Sequence, residues 1–133
     1  MAMLHASNSE VRALLLKGNF GLEKESLRID GGGFLAQTPA HFADNVHIVR
    51  DFSENQVEIN TQIASTPHEA VELLEGYTAQ VQRTLRHLPD REYLWPFSNP
   101  PYIRSERDIP VAQYTGEEAS KTVYREYLSD RYG

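Results

Sequence analysis

The sequence predicts a single α+β domain over residues 1–133, with a mostly antiparallel sheet and packed helices. Segments in which polar and apolar residues alternate, the pattern of half-buried strands, occupy much of the first half. A glycine-rich turn follows the first of these segments, as in a β-hairpin. Segments with a capping pattern and with apolar residues every three or four positions predict the helices.

Composition excludes several classes of function. The 133 residues carry 19 acidic and 13 basic side chains, a net charge of −6, so we expect no surface for nucleic acid or for an anionic membrane. Cysteine is absent, which excludes disulfides and thiolate chemistry and fits a reducing compartment. No signal-peptide pattern or membrane-spanning apolar run occurs, so we expect a soluble, cytoplasmic protein.

The first two elements are a short helix and a strand. Ser7 and Glu10 stand at capping-box spacing and predict the start of the helix, which we expect to end before Gly18. Residues 19–29 alternate and predict a strand.

A turn and two further strands come next. Asp30 and the three glycines after it predict a tight turn, with residues 34–36 as the returning arm of a hairpin. No Gly-Lys-Ser/Thr sequence follows, so these glycines are not a phosphate-binding loop. Residues 46–52 and 56–61 predict two more strands, the second of which displays polar side chains on one face.

The clearest helix is predicted over residues 67–88. Thr66 is its expected N-cap, Pro67 takes the first helical position, and Glu69 completes a capping box. Apolar residues recur along it with helical spacing and predict a buried stripe.

The chain then continues through an aromatic, proline-rich loop to a last helix. Four prolines between residues 96 and 110 exclude regular helix there. Thr115 and Glu118 give a third capping-box spacing, and the helix that follows is expected to end at Gly133.

Four carboxylates are candidates for chemistry. Glu23 and Glu25 lie two apart on a predicted strand, so both project from one face about 7 Å apart. Glu58 lies on the polar face of another strand, and Asp51 ends the strand before it. If the strands are neighbours, the four would converge and favour a hard cation such as magnesium or manganese. From the alternation alone, the favoured interpretation is a strand face that simply meets water.

Other candidates have simpler explanations. Tyr124 and Arg125, adjacent in the last helix, could offer a ring and a guanidinium to a small zwitterion, or they could be a packing residue and a surface ion pair. The loop around Trp95 is interpreted as packing, and the five histidines show no metal-binding spacing.

Four motifs, in one order, resemble the N-terminal part of bacterial glutamate–cysteine ligases. They are GLEKESLR at 21–28, DFSENQVEIN at 51–60, LWPFSNPPYI at 94–103 and KTVYREYLSDRYG at 121–133. The resemblance covers nearly the whole chain from the first motif onward. It is closest to the enzymes of Gram-positive bacteria, some of which are fused to a glutathione synthetase domain.

The resemblance implies a fold, cofactors and site residues. The sheet would be part of a fold similar to that of glutamine synthetase. The carboxylates that would bind magnesium, or manganese, around the phosphates of ATP are Glu23, Glu25, Asp51 and Glu58. The residues that would line the pocket for the cysteine substrate are Phe52, Tyr124, Arg125 and Leu128.

The implied reaction is the ATP-dependent ligation of the γ-carboxyl of glutamate to the amine of cysteine through a γ-glutamyl phosphate. Members of this family are several times longer than this chain, so we expect an N-terminal fragment that is inactive alone and works with the rest of the ligase chain. The alternative is a non-catalytic, shortened relative that acts as an oligomerisation or regulatory module, pairing with itself or with a full-length ligase through exposed sheet edges and the aromatic loop around Trp95.

Overall fold

The computed structural model of the protein describes residues 7–15, 17–39, 42 and 45–132. Its helices and strands are, in chain order, α1 (Ser9–Leu14), β1 (Glu23–Ile29), β2 (Ile48–Val49), β3 (Gln56–Asn60), α2 (Pro67–Arg86), β4 (Tyr93–Leu94) and α3 (Ala119–Tyr132). Within these residues the strands form one sheet, in the order β2–β3–β1–β4, and all neighbouring strands are antiparallel. The predicted α+β class with an antiparallel sheet is confirmed.

β1 and β3 form the central pair, and their register decides which side chains share a face. Glu25 lies opposite Glu58, and Glu23 lies opposite Asn60. Because directly opposed residues project to the same side of a sheet, all four share one face. The odd-numbered apolar residues of β3 therefore project from the other face.

That other face forms the core. The buried cluster consists of Phe42, Ile48, Val57, Ile59, Val81 and Leu85. It joins the sheet to α2, which packs against β3 and β4. One face of the sheet is thus covered by a helix, while the opposite face carries the acidic side chains of β1 and β3.

The strand predicted over residues 46–52 is shorter than expected, because only β2 pairs in the sheet. The next backbone carbonyls, of Arg50 and Asp51, accept hydrogen bonds from the side chains of Tyr114 and Arg125 instead. These donors lie 64 and 74 positions further along the chain. A local pattern could not have predicted this end of the strand.

The predicted turn after β1 is confirmed. The carboxylate of Asp30 accepts hydrogen bonds from the backbone N–H groups of Gly32, at 2.8 Å, and Phe34, at 3.0 Å. Gly33 has φ +81°, a left-handed conformation that favours glycine. The returning arm at residues 34–36 makes an isolated bridge to β1 rather than a full strand.

Helices α1 and α2 begin close to the predicted positions, but some of their capping contacts differ from the prediction. Asn8, not Ser7, caps α1, since its side chain reaches the first free N–H groups of the helix. Thr66 caps α2 as predicted, accepting from the N–H of Glu69 at 3.1 Å. The Glu69 carboxylate accepts from the N–H and hydroxyl of Ser65 instead of completing the box, and these bonds lower the pKa of Glu69.

The C-terminal elements differ more from prediction. Thr115 makes no side-chain cap, and a 3₁₀ turn at Gly116–Glu118 precedes α3. The predicted helix end at Gly133 lies outside the described residues. No α-helix occurs between residues 96 and 110, as expected. The short strand β4 was not predicted, because two residues are too few to show an alternation. None of the described helices has the length and apolar character that crossing a bilayer requires.

A buried ion pair joins the sheet to the loops beyond it. Arg28, on the core face of β1, is fully buried and lies 2.6 Å from the carboxylate of Glu92, which is 2% exposed. The same guanidinium donates to the backbone carbonyls of Thr38, at 2.8 Å, and Glu54, at 2.6 Å. One side chain therefore holds three segments that are distant in sequence.

Candidate active site

The exposed side of β1 and β3, which we call the carboxylate face, carries Glu23, Glu25 and Glu58. The cross-strand pair of Glu25 and Glu58 brings two like charges to within neighbour distance, since opposed Cβ atoms lie about 5 Å apart. Glu23 lies one pleat further along β1 on the same face. Three of the four predicted carboxylates therefore share one surface.

Asp51 reaches this surface from the loop after β2. The side-chain amide of Gln56 donates to Glu25 at 2.8 Å and lies 3.4 Å from the Oδ2 atom of Asp51. On its other side, Asp51 accepts a hydrogen bond from Nη2 of Arg125 at 2.6 Å. A continuous chain of polar contacts thus runs from α3 to β1 through the edge of the carboxylate face.

Two carboxamides on β3 reduce the repulsion between these carboxylates. Gln56 contacts Glu25 and Asp51, and the amide of Asn60 donates to Glu58 at 3.0 Å. Sequence analysis missed both residues because it considered charges alone. The signal was available: Gln56, Glu58 and Asn60 alternate on one strand, so two amides flank the glutamate on its own face.

The fit of this face to a metal ion is partial. Its donors are carboxylate and carboxamide oxygens, which are the ligand types of magnesium and manganese. Among the described residues, however, no three acidic or histidine side chains are gathered closely enough to hold a metal ion. The residues therefore fit a hard cation in their chemistry, whereas the described side chains are not gathered into a metal site.

Arg125 is held on the inner side of α3. Its side chain is 17% exposed, and the centre of its guanidinium lies 5.9 Å from the ring centroid of Phe52 and 5.1 Å from that of Tyr114. Besides the bond to the Asp51 carboxylate, its Nη1 atom donates to the Asp51 backbone carbonyl. Of the predicted substrate-binding residues, Arg125 thus contacts Asp51, a predicted metal ligand, and the ring of Phe52 lies beside Arg125.

The other two predicted pocket residues are less well gathered. Tyr124 is 62% exposed. Leu128 is half-buried, one turn after Arg125 and on the same side of the helix. Tyr124, four residues before Leu128, is its neighbour on the surface of α3.

Tyr114 is a further residue of the site that sequence analysis missed. Its hydroxyl donates to the backbone carbonyl of Arg50 at 2.6 Å, and its ring lies within 5.3 Å of the cationic groups of Arg50, Arg125 and Lys121. A hydrogen bond to Glu118 raises the pKa of Lys121. The ring holds Arg125 in place by cation–π contact.

A cleft of about 380 Å³ opens beside the carboxylate face. Glu25, Phe52 and Gln56 line one wall, and the loop that contains Trp95 and Phe97 lines the other. The loop is ordered internally: Trp95 donates to a backbone carbonyl four residues ahead, and its ring contacts Phe97 edge-on at 5.1 Å. The loop predicted to serve packing also walls a cleft next to the acidic residues.

Fold and site together define an α+β domain whose acidic sheet face is bordered by an arginine and an aromatic loop. The sequence profile of the family described as glutamate-cysteine ligase matches residues 3–133. The chain belongs to the glutamate–cysteine ligase family. The resemblance drawn from the four motifs is therefore confirmed.

Individual relatives belong to the same family. The chain is 40% identical to the glutathione biosynthesis bifunctional protein GshAB of Listeria welshimeri, over 95% of this chain and 16% of that protein. It is 39% identical to a glutamate–cysteine ligase of Clostridium acetobutylicum, over 98% of this chain and 28% of the relative. The chain thus spans less than a third of the length of either relative.

Solved structures share the fold. A bifunctional glutathione synthetase from Pasteurella multocida superposes with a TM-score of 0.72 at 32% identity, covering 91% of this chain and 16% of that one. The glutamate–cysteine ligase of Francisella tularensis in complex with AMP superposes with a TM-score of 0.68 at 31% identity, covering 85% and 23%.

Proposed function

We propose that this chain forms part of the active site of an ATP-dependent ligase that joins the γ-carboxyl of glutamate to the amine of cysteine, the first step of glutathione biosynthesis. The observation that carries the proposal is the family match over residues 3–133, within which the carboxylate face is formed. The chain would act with the remaining part of such a ligase, since its relatives are several times longer.

The carboxylate face is the proposed cation site. Glu23, Glu25 and Glu58 would hold magnesium or manganese, with Asp51 joining from the edge. The bound cation would screen the negative charge of the ATP phosphates and stabilise charge in phosphoryl transfer. The two β3 carboxamides would keep the carboxylates in position before the cation arrives.

The proposed reaction has two steps. The γ-carboxylate of glutamate attacks the γ-phosphorus of ATP, giving γ-glutamyl phosphate and ADP. The amine of cysteine then attacks the activated carbonyl, loses a proton and expels phosphate. Both steps require that the reactants are held in line and that water is kept from the acyl phosphate. The aromatic loop beside Glu25 is suited to exclude water.

Arg125 and Phe52 are the proposed contacts to the cysteine substrate. A guanidinium binds a carboxylate through two parallel hydrogen bonds, and an adjacent ring offers apolar surface to a small side chain. The tyrosine next to Arg125 is exposed in this chain, so its proposed contribution would depend on surfaces beyond the described residues. A reaction that uses ATP and a free thiol fits the cytoplasm, the proposed location.

A second candidate function, an interaction module, is favoured by one surface. Helix α3 exposes several large side chains, of which Val123, Tyr124 and Tyr127 lie on one side of the helix. Surfaces of this kind commonly bind a partner. Under this hypothesis the chain associates with itself or with a longer ligase and performs no catalysis of its own.

A chimera tests the ligase proposal. Residues 3–133 replace the matching segment of the Listeria welshimeri relative, and ADP formation is measured with ATP, magnesium, glutamate and cysteine. We expect sustained ADP formation, over many turnovers, that requires both amino acids, because the acyl phosphate must react with cysteine before the next turnover. It should fall by about 100-fold or more in a Glu25→Gln chimera, because a charge that screens the phosphates is lost.

The matched control is Glu75→Gln, which removes an exposed carboxylate from α2, on the far side of the sheet. This variant should keep full activity. Equal activity of the Glu25→Gln and unmodified chimeras would overturn the proposed role of the carboxylate face. Sustained ADP formation at the same rate without cysteine would overturn the proposed acceptor.

A further inference from the structure

We propose that Thr122 is a positioning residue, whose buried hydroxyl fixes helix α3 and so holds Arg125 where the amino-acid substrate would bind. The inference rests on the proposed function, in which Arg125 contacts cysteine. Thr122 belongs to the fourth sequence motif, but neither the motif resemblance nor the proposed function gives it a role.

Thr122 is the one buried residue of α3, a helix that the structure describes over its whole length, and only 7% of its surface is exposed. The next two residues, Val123 and Tyr124, are 67% and 62% exposed. A helix of 14 residues is only marginally stable in water by itself. The few contacts on its inner side therefore decide where α3 lies.

The hydroxyl of Thr122 joins α3 to residues 112–114, which we call the connecting segment. It accepts a hydrogen bond from the backbone N–H of Tyr114 at 2.7 Å and donates one to the carbonyl of Ala112 at 3.1 Å. A threonine within a helix commonly donates to a carbonyl of the preceding turn instead. Here both partners lie outside α3, so the hydroxyl attaches the helix to the rest of the domain.

The connecting segment is in turn bonded to the loop that carries Asp51. The N–H of Ala112 donates to the carbonyl of Phe52 at 2.9 Å. Arg125 reaches the same loop from α3, through the carboxylate and the carbonyl of Asp51. The contacts thus form a closed ring, from Thr122 to the connecting segment, to the loop, to Arg125 and back along the helix.

Two points of attachment fix the orientation of α3. Thr122 and Arg125 are three positions apart, so they project from the same side of the helix, about one turn from each other. A helix held at one point can pivot about it, whereas a helix held at two points cannot. Without the hydroxyl, Arg125 would move with a pivoting helix and would leave its place beside Phe52 for part of the time.

The expected consequence is a weaker affinity for cysteine. If Arg125 is correctly placed in only a fraction of the molecules, the apparent affinity for its ligand falls by that fraction. The proposed function gives Arg125 no contact with ATP, so the KM for ATP should not change. Once cysteine is saturating, α3 is held in place again and kcat should be retained.

Kinetics of the ligase chimera test the proposal. Thr122→Val keeps the shape of the side chain and a similar helix propensity but removes the hydroxyl. We expect the KM for cysteine to rise about five- to tenfold, with kcat and the KM for ATP unchanged within about twofold. A merely structural role would lower the fraction of folded enzyme, and so kcat, at an unchanged KM. That result, or an equal rise in both KM values, would overturn the inference.

Two further variants at the same position make the test independent of how well the valine variant folds. Thr122→Ser keeps both hydrogen bonds and should restore the KM for cysteine. Thr122→Ala leaves space for a water that can bond to the two freed backbone groups, so the fold is preserved but the helix is not held. Its KM for cysteine should rise as in Thr122→Val, and an unchanged KM would overturn the inference.

A matched control removes a hydroxyl from another helix. Thr84 donates to the carbonyl of Gln80, at 3.2 Å, within α2. Thr84→Val should leave kcat and both KM values within about twofold of the unmodified chimera. A rise in the KM for cysteine as large as that of Thr122→Val would overturn the inference, because any lost helix hydroxyl would then have the same effect.

A second measurement uses the 133-residue chain without substrate. NMR relaxation dispersion at the Nε atom of Arg125 detects exchange on the microsecond-to-millisecond scale. We expect exchange, or a shifted resonance, in Thr122→Val but not in Thr122→Ser. The absence of both in Thr122→Val would overturn the positioning role. A chimera that forms no ADP, while Arg125 responds to Thr122, would overturn the proposed function and leave the positioning of Arg125 standing.

Discussion

Loss of the buried ion pair between Arg28 and Glu92 should strongly destabilise the fold. Arg28 is fully buried and Glu92 is 2% exposed. An Arg28→Met change keeps most of the side-chain volume, but it leaves the Glu92 carboxylate without its counter-ion. It also removes the donors to the carbonyls of Thr38 and Glu54. We expect a loss of about 3–5 kcal/mol in the free energy of unfolding, the range for breaking one side of a buried pair.

Urea unfolding, followed through the fluorescence of the single tryptophan, measures this loss. With an m-value of about 1.5 kcal/mol/M, a loss of about 4 kcal/mol lowers the midpoint by more than 2 M. Arg107→Met, which removes an exposed arginine, should shift it by less than about 0.5 M. A shift below about 0.5 M for Arg28→Met would refute the reasoning.

A double variant separates the cost of the unpaired Glu92 carboxylate from the cost of the lost hydrogen bonds to the two carbonyls. Arg28→Met combined with Glu92→Leu removes both buried charges, so the penalty for an uncompensated carboxylate disappears. It should be more stable than Arg28→Met alone by about 1–2 kcal/mol, although the carbonyls of Thr38 and Glu54 still lack their donor. If the stability loss of the double variant equalled the sum of the losses of the two single variants, the pair would contribute no interaction of its own.

Three further outcomes are expected. Gly33→Ala should lower stability by about 1–2 kcal/mol in urea unfolding, because an alanine is strained at φ +81°. Thr66→Ala should cost about 1 kcal/mol in the same assay, and Thr66→Ser should recover most of it. The hydrogen bond from Arg104 lowers the pKa of Asp108, so the stabilisation is present above about pH 4 and is lost as the pH falls through the lowered pKa. Carboxyl NMR titration should show the Asp108 pKa rising in Arg104→Gln, and an unchanged pKa would contradict this cause.

The sequence predicted the elements whose causes are local. Thr66 and Pro67 set the start of α2 within the chain itself, and the turn after β1 follows from Asp30 and the glycines. The elements that were missed or shortened have distant causes. β2 ends where Tyr114 and Arg125 take the next carbonyls, and β4 exists only because β1 offers an edge to pair with.

The candidate site follows the same division. Alternation predicts that Glu23 and Glu25 share a face, because that depends only on the pleat of one strand. It cannot predict that Glu25 lies opposite Glu58, since a slip of one residue in the β1–β3 register would put Glu58 on the other face relative to it. Apart from the structure, only the resemblance of the motifs indicated that Glu58 belongs to the same site as Glu25.

Side-chain hydrogen bonds offset the repulsion between the acidic residues of the carboxylate face. Two like charges directly across a strand pair are destabilising when nothing compensates them. Here Gln56 donates to Glu25 and Asn60 donates to Glu58, so each carboxylate of the pair has an amide partner. Arg125 gives the third carboxylate, Asp51, a full counter-charge. Glu25 and Glu58 thus have uncharged partners, whereas Asp51 has a charged one.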